Sequence, residues 1–352
     1  MQKCELVLLA VVVFVLITAT THAATIRVPD HQPNIQAGVD AAVSEGDTVL
    51  VAPGTYSGDG NRDIDFAGVN IVLTSESGAA ATIIDCGGLS RALVVFSGED
   101  STCVVRGFTI ENGDGGSGGG IYVTQSAPII ENCVIRNCSA SNGGGIWYGY
   151  SPASMQGIIR NCVVYGNTAR FRGGGIMCSH GYSPDYVPPI VRNCIVYNNL
   201  ESTDSPYGGG GIYCSYSDAT VVGCTVVGNS GEPGRGAIYG YGCTPIVRRT
   251  VSAFNVTGPG VGGVDADHCI IFGNVGDVPA DGTRENLDAN PLFCDIGSWD
   301  LTVCDDSPCI ATDPENPWGE HIGALGAGCP SCDTVVEETT WGSIKALYTR
   351  PE

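Results

Sequence analysis

One short phrase recurs along the chain and leaves few folds open to it. It reads Arg106-Gly-Phe-Thr-Ile-Glu-Asn112, Glu131-Asn-Cys-Val-Ile-Arg-Asn137, Arg160-Asn-Cys-Val-Val-Tyr-Gly-Asn167, Arg192-Asn-Cys-Ile-Val-Tyr-Asn-Asn199, Val222-Gly-Cys-Thr-Val-Val-Gly-Asn229 and Asp267-His-Cys-Ile-Ile-Phe-Gly-Asn274. A degenerate copy runs from Arg249 to Asn255. The cysteines at 133, 162, 194 and 224 stand 29, 32 and 30 residues apart. Periods of about 20–50 residues built from short β-rich units mean a solenoid, because no single turn can bury its apolar face alone. Upstream, Thr48-Val-Leu-Val, Asn70-Ile-Val-Leu and Ala92-Leu-Val-Val start 22 residues apart. That spacing predicts a rung of three short strands and three corners, longer where a corner bulges, stacked at about 4.8 Å.

Composition removes the alternatives. Gly fills 51 of the 352 positions. Such a share argues against long helices, where an interior Gly costs about 1 kcal/mol relative to Ala. No G-X-Y period appears, which excludes collagen. Hydrophobic residues at 43% against charged residues at 15% exclude a disordered chain. Lys+Arg is 16 and Asp+Glu is 37, for a formal net charge of −21. Nothing in that balance would neutralise phosphates, so nucleic acid and anionic membranes are excluded as partners.

The first residues read as an address. Lys3 precedes an apolar run from Leu6 to Ala19, and Thr21-His22-Ala23 offers small residues for cleavage. Residues 1–23 are therefore expected to be a secretory signal peptide, since the 14-residue run is short of the roughly 20 a membrane span needs. No transmembrane segment is expected after cleavage, and the mature chain is placed outside the cell or on its surface. Removing Cys4 leaves 16 of 17 cysteines, an even number in a compartment that permits disulfides. The lone Cys329-Pro-Ser-Cys332 has no context for zinc or redox work and reads as structural.

Alternation assigns the strand faces. Phe108, Cys133, Cys162, Cys194, Cys224, Thr250 and Cys269 form one inward column, and Ile110, Ile135, Val164, Val196, Val226, Ser252 and Ile271 the next. Glu111, Arg136, Tyr165 and Tyr197 face out. Asn167, Asn199, Asn229, Asn255 and Asn274 stack at one corner, where Asn tolerates left-handed angles and can bond to its neighbours along the axis. Gly118-Gly-Gly-Ile121, Gly143-Gly-Gly-Ile146, Gly173-Gly-Gly-Ile176, Gly208-Gly-Gly-Gly-Ile212 and Gly236-Ala-Ile238 mark another corner, one that needs positive φ. Five recurrences with no Gly-Lys-Ser/Thr rule out a phosphate loop. Cys178 and Cys214 occupy equivalent inward positions on successive rungs, where a bridge and a stack of free thiols fit equally well. Disulfides are expected mainly among Cys294, Cys304, Cys309, Cys329 and Cys332.

These repeats resemble the right-handed parallel β-helix proteins of the pectate-lyase-like superfamily, as found in secreted bacterial members. Thr25-Ile-Arg-Val-Pro, the amphipathic stretch Ile35 to Val43 and Gly46-Asp-Thr-Val-Leu-Val-Ala-Pro-Gly-Thr-Tyr56 look like the opening of many such chains. Asn290-Pro-Leu-Phe293 and Ser307-Pro-Cys309 up to Ile322-Gly-Ala324 resemble their closing rungs. The resemblance implies an all-β, right-handed parallel β-helix over residues 24–329. An N-terminal helix, with Ile35, Val39 and Val43 on one face, would cap the open end. Residues 330–352 then form a tail, read either as a short helix on the last rung or as a sorting or anchoring segment.

The same fold hosts polysaccharide lyases, glycoside hydrolases and adhesins, so function has to come from side chains. The residues after each Gly-Ile are Tyr122, Trp147, Met177, Tyr213 and Tyr239. They form an outward column that either stacks on sugar rings or lies under the loops carrying Tyr150, Tyr182 and Tyr216. The preferred reading is a non-catalytic protein that binds carbohydrate or a cell-surface partner through Tyr122, Trp147, Tyr213 and Tyr239. The alternative is a polysaccharide lyase or glycoside hydrolase with Asp265, Asp267 and His268 as its candidates, so catalysis stays open. Arg170, Arg172, His180 and Asp185 read as corner residues. Calcium is the one cofactor suggested, with Asp59, Asn61, Asp63 and Asp65 offering oxygens at alternate positions; Ile64 and Asn70 stand where an EF-hand needs Gly and Glu.

Overall fold

The computed structural model describes residues 23–152, 155–180, 186–202, 208–276 and 285–330. The leader before Ala23, the tail after Pro330, and Tyr182, Asp185 and Cys332 lie outside the described residues.

Ten strands, from Thr25–Val28 to Asp265–Asp267, stack into one parallel sheet. Nine more, from Gly54–Ser57 to Ile270–Phe272, form a second, and eight, from Ile64–Asp65 to Val261–Gly262, a third. The three sheets wind around a single apolar core that runs the length of the stack. Both inward columns are in it: Cys133, Cys162, Cys194 and Cys224 are buried, as are Ile135, Val164, Val196 and Val226.

The rungs are longer than the upstream spacing implied. Thr48 pairs with Val72 and Val72 with Val104, whereas Ala92-Leu-Val-Val contributes to the eight-stranded sheet. The second 22-residue interval thus compares segments on different faces, and the first is a rung of the ten-stranded sheet read two residues short. In mid-chain a fourth strand joins each rung, at Asp114–Ser117, Ser139–Asn142, Thr168–Arg172 and Leu200–Glu201. These are Gly-, Ser- and Arg-rich, so they carry no alternation to betray them.

The asparagine ladder is present. Asn167 Nδ2 donates to Asn199 Oδ1 at 3.0 Å, Asn199 to Asn229 at 3.0 Å, Asn229 to Asn255 at 3.2 Å and Asn255 to Asn274 at 2.7 Å. The left-handed angles belong to the residues just before it, Asn137, Gly166, Asn198 and Gly228, and to the corner before the cysteines at Asn132, Asn161, Asn193 and His268. Each glycine triplet divides its work similarly. Gly143 has φ of +61°, while a Cβ on Gly144 would sit 2.4 Å from the carbonyl oxygen of Gly174 on the next rung.

The N-terminal helix is shorter than expected, Ile35–Ala41. Asp47 takes the Val43 and Ser44 N–H groups and ends it, so Val43 is 78% exposed and Ala42 is buried instead. The residues resembling closing rungs do something else. From Phe293 the chain builds a small three-stranded sheet of its own, and Gly323 and Ala324 bond back to Arg249 and Thr225. A second core results, in which Leu301, Val303 and Ile322 cover Val227, Val251 and Ile270 on the outside of the nine-stranded sheet. Cys294 and Cys329 are joined there across a Cα separation of 6.0 Å. Cys309 is a free thiol, and so are Cys178, Cys214 and the interior stack.

Candidate functional site: two outward columns

The aromatic column is in register across five rungs, Tyr122 to Trp147, Met177, Tyr213 and Tyr239. It is not uniformly exposed. Tyr122, Trp147 and Tyr239 are half-buried, but Met177 is 3% exposed and Tyr213 not at all. The turn at Gly208–Gly209, both with positive φ, closes over the Tyr213 ring. Burial pushes its phenol well above the usual tyrosine range. Tyr122 and Trp147 stack face to face, 4.7 Å apart and 8° from parallel. Arg91 lies 4.9 Å over the Tyr122 ring, and Arg235 lies 5.0 Å over that of Tyr239. The rings therefore use their faces on one another and on arginines, and offer mainly edges to a ligand.

A second column runs along the ten-stranded sheet. Its register is Thr74, Arg106, Glu131, Arg160, Arg192, Val222, Arg248 and Asp267. Beside it stands a stripe of Val72, Val104, Ile129, Ile158, Ile190 and Ile246, each at least partly open to solvent. Glu131 binds Arg160 through a 2.6 Å hydrogen bond from Nε and lies 3.8 Å from Arg106. Arg192 stands directly opposite Arg160 and makes no ion pair with a described residue. Sequence reasoning passed over these arginines, although they open the very phrases that revealed the repeat.

The three catalytic candidates come together at the end of this column. Asp265 and Asp267 point outward with buried Ala266 between them. Arg248 Nη2 is 2.9 Å from Asp265, and its Nε is 3.6 Å from Asp267. His268 adds Nδ1 at 3.1 Å from Asp267, and Glu285, from the next corner, lies 3.3 Å from Nε2. The calcium candidates behave differently. Asp59 pairs with Arg62, Asn61 Oδ1 accepts from the Ile35 N–H, and Asp65 Oδ1 accepts from the Ala67 N–H. Asp59, Asp63 and Asp65 do not gather their oxygens within 4.8 Å of one another. Burial pushes the Cys269 thiol up to about 11 and the Cys138 thiol up to about 12, which keeps these two protonated at neutral pH.

The family profile described as "Right handed beta helix region" matches residues 68–252. No curated protein matches the chain. Among solved structures, the pectate lyase Pel9A is 14% identical with a TM-score of 0.42, covering 82% of this chain and 90% of that one. A pectin methylesterase from carrot is 12% identical with a TM-score of 0.40, covering 77% and 87%. No helix among the described residues is long and apolar enough to cross a membrane.

Proposed function

The chain belongs to the right-handed β-helix family, and from that premise we propose that it is a secreted, non-catalytic protein that binds an acidic polysaccharide along the outward face of its ten-stranded sheet. One observation carries the reading: Arg160 and Arg192 face each other on adjacent strands of a chain whose net charge is −21. Like charges directly opposite destabilise a sheet. Carboxylates outnumber cations by more than two to one here, yet of the pair only Arg160 has one, Glu131, and Glu131 also serves Arg106. An anionic polymer laid along the rungs supplies the missing charge, since guanidinium groups donate paired N–H bonds to carboxylates in bidentate fashion. The aliphatic stripe beside the arginines gives the C–H faces of sugar rings an apolar surface to cover.

The carboxylates of the Asp265–Asp267 cluster are held by Arg248, which suits an anchored network better than an acid and a base poised on a substrate. The test is binding of the full chain to polygalacturonate and to a neutral glucan, with product analysis. Retention by the acidic polymer at low salt, weakened at high salt, is the expected result. Equal retention by the neutral glucan overturns the ligand class, and new unsaturated or reducing ends overturn the non-catalytic part.

A further inference from the structure

At its middle the arginine column borders a corner made of exposed asparagines, Arg160-Asn161 on one rung and Arg192-Asn193 on the next. Both asparagines are left-handed, with φ of 53° and 52°. The chain then turns inward at Cys162 and Cys194 and presents Val163 and Ile195, paired directly, on the outer side of the nine-stranded sheet. The folded-back segment comes down to this corner from the later rungs. Gly323 N–H donates to the Arg249 carbonyl, Ala324 N–H donates to Thr225 Oγ1 at 3.0 Å, and Leu325 reaches the Asn193 rung. Gly223 leaves room for the Asn193 amide, since a Cβ there would sit 2.7 Å from its Oδ1. Between sheet and segment lies a cleft of about 280 Å³, whose walls include Asn161, Val163, Asn193, Ile195, Ala324 and Leu325.

The cleft has the make-up of a small-ligand site, apolar walls with a few converging polar groups. None of its lining residues is charged, which suits a neutral ligand. The Asn161 and Asn193 side chains make no hydrogen bond to a described residue, whereas Asn167 and Asn199 at the next corner are bonded to each other at 3.0 Å. A free amide offers N–H donors and a carbonyl acceptor, the two capacities that a sugar hydroxyl combines in one group. The aliphatic walls suit the C–H face of a pyranose. We propose that this cleft binds a single neutral sugar carried as a branch on the acidic polysaccharide, with Asn161 and Asn193 holding its hydroxyls and Ile195 and Leu325 covering its C–H face.

The branch site rests on the polysaccharide reading and narrows the class of polymer. Backbone carboxylates meet Arg160 and Arg192, and the branch turns over the corner into the cleft. Consecutive Cα atoms stand about 3.8 Å apart, so the step from each arginine to its asparagine is short enough for a one-sugar branch to cross. A linear polyuronate has nothing to place there. The two rungs that line the cleft lie about 4.8 Å apart, too short a bed for an acyl chain or an extended peptide.

The full chain is titrated calorimetrically with polygalacturonate and with a galacturonan bearing single xylose branches. Two hydrogen bonds of ordinary net strength should make the branched polymer bind about tenfold more tightly. Asn161→Gly/Asn193→Gly removes both amides while glycine keeps the left-handed corners, and it should bring the branched polymer down to the parent's affinity for the unbranched one. In the parent, nuclear Overhauser contacts should join xylose protons to the methyl groups of Ile195 and Leu325. Equal affinity of the parent for the two polymers, a preference that survives in the double variant, or absence of those contacts overturns the branch site and leaves the arginine reading standing. Binding of neither polymer overturns the arginine reading and the branch site with it.

Discussion

The aromatic and arginine columns are built alike, each one residue per rung and each facing outward, yet their surroundings are opposite. On the eight-stranded sheet the rings satisfy one another: Tyr122 is held between Arg91 and Trp147, and Tyr213 is covered outright. On the ten-stranded sheet the column carries an unmet need midway along it, with Arg192 set against Arg160. Residue type alone favours the first as a binding face, because aromatic stripes suit sugars. What remains unsatisfied favours the second. A ligand is recruited by groups the protein has not already paired.

Four substitutions sharpen that contrast, and the largest effect belongs to the aromatic side. Tyr213→Ala should lower stability by about 3–5 kcal/mol, as large core truncations do, with affinity for acidic polysaccharide unchanged. Chemical denaturation read alongside binding checks both halves. Trp147→Ala removes a half-buried ring and should cost roughly 2 kcal/mol, again without loss of affinity. Reduced binding by a Trp147 variant that folds normally would return the aromatic column to the site. Arg192→Ala should do the reverse: stability within about 0.5 kcal/mol of the parent, since a like-charge contact disappears, and affinity down about tenfold. Asp47 gives the smallest effect and a control several rungs from Arg160 and Arg192 and on no aromatic ring. Its carboxylate is held below the usual range first by the Ala24 N–H and then by Ser44 and Val43. A lowered folded value means that its contribution is full above the unfolded value of about 3.9 and fades as pH falls through the folded one. Acid unfolding should therefore begin at a higher pH-independent baseline of lost stability in Asp47→Asn, which lacks this component, and the variant's melting temperature should fall less than the parent's between pH 5 and pH 2.

Much of this was legible in the sequence, and the limits have physical causes. Columns two residues apart, such as Cys162 and Val164, assign a face because side chains alternate. The ladder from Asn167 to Asn274 was visible for the same reason. The fourth strand was not: Asp114-Gly-Gly-Ser117 has the composition of a turn and gains its strand geometry only from Ser139–Asn142 stacked against it. The folded-back segment was also hidden, because Leu301 and Val303 alternate like any rung and nothing local says which surface they cover. In the site, Asp265, Asp267 and His268 were found by proximity along the chain. Glu285 was missed because it reaches His268 from the next corner, and Arg106, Arg160 and Arg192 were taken only as the frame of the repeat.

The central claim rests on which column holds the ligand, and one paired titration decides it. Arg160→Ala/Arg192→Ala and Tyr122→Ala/Trp147→Ala are each titrated calorimetrically with polygalacturonate oligomers, after circular dichroism has established that both retain the β-solenoid. The account predicts that the arginine pair loses heat of binding and the aromatic pair keeps it. Full binding by the arginine variant, with loss in the aromatic one, would contradict it.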